Sequence, residues 1–152
     1  MKILDILHPD AIVSDLKSQH KLGVIEELAA PIAKILTMPT RDIVQVLMER
    51  EQLGSTGIGQ GIGIPHGKLK DLDAPVIGFG LSKKGVDFDS LDDRPTHLFF
   101  TLITPDQSTG IHLKLLGRIS RILKNDGFIN RLMNASNAEE IFTIIKNEDD
   151  EF

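Results

Sequence analysis

The sequence predicts an α+β fold of α/β/α layers, in which a mixed, mainly buried β-sheet is flanked by helices. Three observations carry this. Two uninterrupted apolar runs, residues 76–81 and 98–103, have the composition of strands covered on both faces. Two amphipathic helical patterns precede those runs, and a third long helical pattern with two shorter ones follows them. Helices first, strands in the middle and helices last place helical layers around one sheet. The 152 residues fit a single domain, 1–152, with 146–152 as an acidic tail. A domain of that length removes roughly 70% of its unfolded surface from water, so its core needs no staples.

A short strand is expected at residues 11–13. Ser18 then precedes Leu22, Ile25, Leu28, Ala29, Ile32, Ile35 and Leu36, which recur at helical spacing. Pro39 removes a donor and restricts Met38, and is expected to end that helix. Thr40 is the expected N-cap of a second helix that carries Ile43, Val46 and Leu47 and runs to about residue 53. Between the two apolar strands, Asp87, Asp89, Asp92, Asp93 and Pro95 mark a loop or a short edge excursion. A third helix is expected from Ser108 or Thr109, with Leu115, Leu116, Ile119, Ile122 and Leu123 on its inner face. Helical pieces at 128–133 and 138–146 follow, the second behind the cap candidate Asn137. Glu148, Asp149, Asp150 and Glu151 read as a solvated end.

Composition narrows the function classes. The chain has no cysteine, which excludes disulfides, thiolate zinc sites and cysteine nucleophiles. Asp5 interrupts the apolar N-terminus where a signal peptide needs a continuous run, and no segment reaches the ~20 apolar residues of a membrane span. A cytoplasmic protein is expected, with no membrane insertion. The net charge of −5 argues against nucleic acid, which requires a basic face, while leaving a basic protein partner open. No metal and no cofactor is called for.

Residues 54–67 depart from ordinary structure. Glycines alternate at 57, 59, 61 and 63 and the run closes on Pro65, His66 and Gly67. Glycine admits unusual dihedrals and close approach of a ligand to main-chain N–H groups, at an entropic cost of up to about 1 kcal/mol per residue in regular structure. A tight crossing of strands that demands small residues would give the same composition. Two familiar phosphate loops fail: the P-loop needs glycine where Ile62 stands and Ser or Thr where Leu69 stands, and no register of G-x-G-x-x-G finds its third glycine. Pro65 fixes its own φ and keeps Ile64 extended, so His66 is expected at a stiff exit from a short strand, with Gly67 leaving space above its ring. Such an imidazole either is presented with one nitrogen free or serves the fold.

Arg50-Glu51, the run 54–59 and the run 61–67, with Gly110-Ile111-His112-Leu113 later, resemble the fructose/mannitol/nitrogen-type IIA components of the bacterial phosphoenolpyruvate phosphotransferase system (PTS) over nearly the whole chain. Gly63 stands where many members have alanine. The resemblance implies a IIA fructose/mannitol-like fold and His66 as the phosphorylated nucleophile. It also implies His112 as a supporting residue close by and Arg50 as a phosphate-stabilising residue at the end of the second helix. Ser55, Thr56, Gly57, Gly59, Gly61 and Gly67 would form the loop that cradles the phosphoryl group. His112 lies in the first turn of the third helix, on the face of Leu116; a buried histidine bonded to a carbonyl is the other reading of it. Arg50 has the other reading of a solvated helix end that pairs weakly with Glu49 or Glu51. His8, His20 and His97 match no site of the family and are read as surface or loop residues.

The implied donor is an HPr-like phosphocarrier protein. The implied outputs are regulatory target proteins, such as potassium transporters and sensor kinases, or a IIB domain of a sugar permease. With no IIB or IIC segment alongside, the expectation is a mainly regulatory phosphotransfer protein, most like the nitrogen-regulatory IIA. A IIA subunit of a fructose or mannitol permease and a binding module that is never phosphorylated are the competing readings.

Overall fold

A computed structural model of the chain describes residues 1–151. A short 3-10 turn, Ile3–Asp5, leads into strand β1 (Leu7–Val13), helices α1 (Lys21–Leu36) and α2 (Thr40–Gln52), and three short strands, β2 (Gly57–Gly59), β3 (Ile62–Gly63) and β4 (His66–Leu69). The long strands β5 (Val76–Val86) and β6 (Thr96–Pro105) follow, then α3 (Thr109–Ile122), α4 (Asp126–Met133) and α5 (Ala138–Asp150).

The sheet runs β1-β5-β6-β3-β2, with β4 also paired to β6. β5 and β6 are antiparallel, whereas β1 is parallel to β5 and both β3 and β4 are parallel to β6. β3 and β4 lie end to end along the same edge of β6, Ile62 opposite Leu98 and His66 opposite Leu102. Successive side chains of β6 alternate between two cores. Phe99 and Ile103 pack with Ile25, Leu28, Ile32 and Leu47 under α1 and α2. Phe100 and Leu102 pack with Leu115, Ile119, Phe128 and Ile141 under α3, α4 and α5. The layered α/β/α prediction therefore holds, and among the described residues no helix is long and apolar enough to cross a membrane.

Several local expectations are corrected. β1 begins four residues earlier than the expected strand: its exposed residues His8, Pro9 and Asp10 sit on a sheet edge with an irregular register between Leu7 and Ile12, where proline is tolerated. Ser18 does not open α1. Its hydroxyl accepts the His20 N–H at 3.3 Å, the Glu27 carboxylate takes the Lys17 and Ser18 amides, and the helix starts at Lys21. Leu22 is consequently turned outward, 52% exposed, rather than into the core. α1 stops before Pro39, through Thr37 in the left-handed region (φ 56°), whose N–H bonds the Ala33 and Lys34 carbonyls. Thr40 is the first residue of α2 and caps nothing with its side chain; Pro39 holds the cap position.

The acidic C-terminus is not a solvated tail. α5 continues to Asp150, and Glu148 and Asp149 are buried. Asp149 accepts Arg118 Nε at 2.7 Å and the Leu4 N–H at 3.0 Å, while Glu148 accepts Asn125 Nδ2 at 3.0 Å and Arg131 at 3.2 Å. His97 is likewise part of β6, half-buried, with Nδ1 at 2.8 Å from the Ser82 carbonyl oxygen; His8 and His20 are exposed as expected.

Candidate functional site

His66 opens β4 rather than closing a strand, because Pro65 separates β3 from β4 and its carbonyl accepts the Leu102 N–H at 3.0 Å. Alternation then sorts the neighbouring side chains. His66 and Lys68, opposite Leu102 and Thr104, face the α3 side, and Gly67, opposite Ile103, faces α2. A Cβ on Gly67 would lie 2.4 Å from Val46 Cγ1. Glycine is required there by the approach of α2, so the space expected beside the histidine ring is already filled.

The His66 ring is half-buried, with Nδ1 at 2.7 Å from the Ile64 carbonyl oxygen. A carbonyl only accepts, so Nδ1 carries the proton and Nε2 keeps its lone pair. His112, in the first turn of α3, is 7% exposed. Its ring centroid lies 5.4 Å from that of His66, at an interplanar angle of 56°. Its Nδ1 is 2.6 Å from Thr104 Oγ1, which answers the buried-histidine reading with a hydroxyl on β6 rather than a backbone carbonyl. Burial, reinforced by the charges of His66 and Lys68, pushes the His112 imidazole down to about 4. Burial also lowers His66, aided by the Arg50 charge and opposed by the bond to Ile64 and by Glu51. Both rings are thus neutral near pH 7, the state in which imidazole is a nucleophile.

Arg50 lies in the last turn of α2, and its Nη1 donates to the Gly54 carbonyl at 2.9 Å. Among the described residues it pairs with neither Glu49 nor Glu51, and its charge is felt at His66. The buried Glu51 instead accepts the Thr56 N–H (3.1 Å), the Thr56 hydroxyl and the Lys21 ammonium (3.0 Å), which also sits 4.9 Å from the Phe88 ring centroid. The Thr56 carbonyl in turn accepts the Ile64 N–H at 3.0 Å. One line of bonds therefore runs from α1 and α2 through Thr56 and Ile64 to His66 Nδ1.

The glycine run is a small hairpin. Ser55 Oγ donates to the Phe88 carbonyl at 2.8 Å and accepts the Gly57 N–H at 3.0 Å, while Gly57 packs against Ser90. Gly59 and Gly61, both at positive φ (97° and 80°), flank Gln60 in the turn, where Cβ atoms would meet Asp92 and His97. The Gly61 carbonyl takes the His97 and Leu98 amides. Four strand residues, roughly 13 Å, separate that end of β6 from the His66 pairing position. The structure thus brings His66, His112 and Arg50 together with Thr104 and Lys68, and sets Gly59 and Gly61 at the other end of the hairpin.

Lys68, Thr104 and Glu51 were not assigned functions from the sequence. Alternation from His66 would have flagged Lys68 had β4 been recognised as a strand; no local signal marks Thr104. A cleft of about 890 Å³ between α2 and residues 68–76 includes Lys68 but not His66.

Residues 5–148 match the family described as the phosphoenolpyruvate-dependent sugar phosphotransferase system, EIIA 2, and the chain belongs to that family. It is 36% identical over 145 residues to the nitrogen regulatory protein of Bradyrhizobium diazoefficiens, covering 95% of each chain. It is 35% identical over 150 residues to the fructose-specific EIIABC component of Bacillus subtilis, of whose length it spans 24%. The solved structure of nitrogen regulatory protein IIA-Ntr from Neisseria meningitidis matches with a TM-score of 0.88 at 33% identity, over 94% of this chain and 98% of that one.

Proposed function

We propose that the chain acts as one IIA domain whose His66 Nε2 accepts a phosphoryl group from an HPr-like phosphocarrier, in the cytoplasm, and that its main output is regulation of target proteins. The observation that carries this is the Nδ1 bond to the Ile64 carbonyl at 2.7 Å, which leaves Nε2 as the nucleophilic nitrogen of a partly accessible ring. In the transfer, the P–N bond to the carrier imidazole breaks and its electron pair returns to the carrier nitrogen. The Nε2 lone pair of His66 forms the new P–N bond, and no net proton moves. One phosphoramidate replaces another, so positioning and charge stabilisation are the protein's main contribution.

Each site residue then has a role. His112, neutral and held by Thr104, lines the acceptor position; Arg50 supplies positive charge from the end of α2. Ser55, Thr56 and Gly57 brace the segment between β3 and β4 that carries Ile64, Gly67 admits α2, and Gly59 and Gly61 shape the hairpin. The regulatory output is supported by similarity along 95% of a nitrogen regulatory protein. Service to a sugar permease is a second reading, favoured by the 35% identity to a fructose-specific EIIABC component.

Incubation with the general PTS enzyme, a phosphocarrier and labelled phosphoenolpyruvate tests the proposal. Acid-labile label on the wild type and none on His66→Ala is expected. An unlabelled wild type would leave only a binding module. Passage of the label to a fructose IIB protein faster than it hydrolyses would favour the permease role.

A further inference from the structure

Lys68 is a cation without a counter-ion. It is half-buried, and among the described residues no carboxylate lies within ion-pair distance of it, although the protein carries 22 Asp and Glu against 17 Lys and Arg. Its ammonium donates to a neutral group, from Nζ to Thr109 Oγ1 at 2.9 Å. Removing part of the hydration of an ammonium without pairing it is unfavourable. An acidic chain has ample means to supply a partner, and here it supplies none.

The position of that charge is set by the sheet. Lys68 follows His66 by two residues on β4 and so emerges on the same face, and its pairing partner Thr104 is the residue that holds His112. Thr109, which tethers the ammonium, is the first residue of α3, three before His112. Lys68 thus leaves β4 on the face of His66, and its charge is felt at the neutral His112 imidazole. Lys68 Nζ still has donors to give after bonding Thr109, since an ammonium has three.

Building on the acceptor role of His66, we infer that Lys68 is a phosphate-binding residue of this site, beside Arg50. On transfer, its ammonium donates charge-assisted hydrogen bonds to the phosphoryl oxygens on His66 Nε2 and becomes the counter-ion that the phosphorylated state requires. The residue therefore stabilises the phosphorylated protein more than the free one, and sets how far phosphate shared with the carrier comes to rest on this chain. A point charge on a flexible stem suits this duty, because the oxygens arrive with a docking partner.

The test is the transfer equilibrium between carrier and protein, read as the fraction of each phosphorylated at a fixed total phosphate, for wild type, Lys68→Met and Lys68→Arg. Lys68→Met is expected to shift the equilibrium about tenfold toward the carrier, the worth of one charge-assisted bond, while Lys68→Arg restores most of it. Thermal midpoints of the free proteins should agree, because the residue has no ionic partner to lose in that state. A second reading on phosphorylated samples is the 31P titration of the phosphoryl group, whose ionisation should move to higher pH in Lys68→Met. An equilibrium within twofold of wild type and an unmoved 31P titration would overturn the assignment. A wild type that takes no label would instead remove the acceptor role itself, and the lysine's with it.

Discussion

Gly67→Ala is the sharpest probe of how the sheet and α2 jointly hold the histidine. The new Cβ would stand 2.4 Å from Val46 Cγ1 and 3.4 Å from the Val46 carbonyl oxygen. Ordinary carbon contacts begin near 3.5 Å, so about 1 Å of overlap must be relieved. Val46 is β-branched and on a helix, where one rotamer dominates, so it has little freedom to turn aside. α2 or β4 has to move. Overpacking of this kind costs about 2 kcal/mol. Displacing β4 also shifts His66, so the phosphorylation rate should fall well below wild type. Urea unfolding of the two single variants and of Gly67→Ala/Val46→Ala measures the effect. Truncating Val46 removes the obstacle, so the double variant should recover at least 1 kcal/mol relative to additivity and regain rate. Strict additivity, or a Gly67→Ala protein as stable as wild type, would refute the argument that α2 dictates glycine beside the acceptor.

Three further outcomes are expected. The depressed imidazoles of His112 and His66 bind protons more readily unfolded than folded, so stability is complete near neutral pH and declines as pH falls below about 6.5 toward 4. The interval between an ordinary imidazole and about 4 makes the His112 share about 3 kcal/mol. Asp15 and Asp92, whose carboxyls are held low by Lys17 and by the Gln60 and Arg94 amides, titrate below this window. Urea midpoints from pH 7 to 5 should therefore fall in wild type and much less in His112→Gln, and parallel profiles would contradict the assignment. Glu51→Gln strips the buried carboxylate from Lys21, leaving it the exposed Asp89 at 3.6 Å, and loosens Thr56; a loss of about 2 kcal/mol is expected, with a larger share of the other His66 tautomer in 15N spectra. A stability loss with the tautomer unchanged would confine Glu51 to the fold. Asp149→Ala removes the carboxylate that accepts Arg118 Nε and the Leu4 amide, while Arg118 Nη2 keeps the residue 149 carbonyl, and should cost about 3 kcal/mol by denaturation; a cost under 0.5 kcal/mol would return that end to the solvent.

The parts of this fold that the sequence exposed are those governed by periodicity. β5 and β6 appear as apolar runs because both faces are covered, and α1 and α2 appear through their stripes. The parts it hid depend on distant partners. Glu148 and Asp149 look like a solvated end until Arg118, Asn125 and Arg131 are known to lie against them. β4 is four residues long, begins directly after a proline and holds a glycine, so no pattern announces it. His66 stood out through Pro65 and the surrounding glycines, and His112 and Arg50 through resemblance. Lys68 and Thr104 emerge only when β4 is laid in register on β6, because pairing rather than sequence distance places them beside the imidazoles.

The nitrogen that carries phosphate tests the central claim most directly. Two-bond 1H–15N correlation spectra of the phosphorylated protein, with 31P coupling, distinguish the two ring positions of His66. Phosphate bound to Nε2, with Nδ1 still protonated toward Ile64, is the expected result. Phosphate on Nδ1, or on a residue other than His66, would contradict the account, since a nitrogen committed to the Ile64 carbonyl has no lone pair to give.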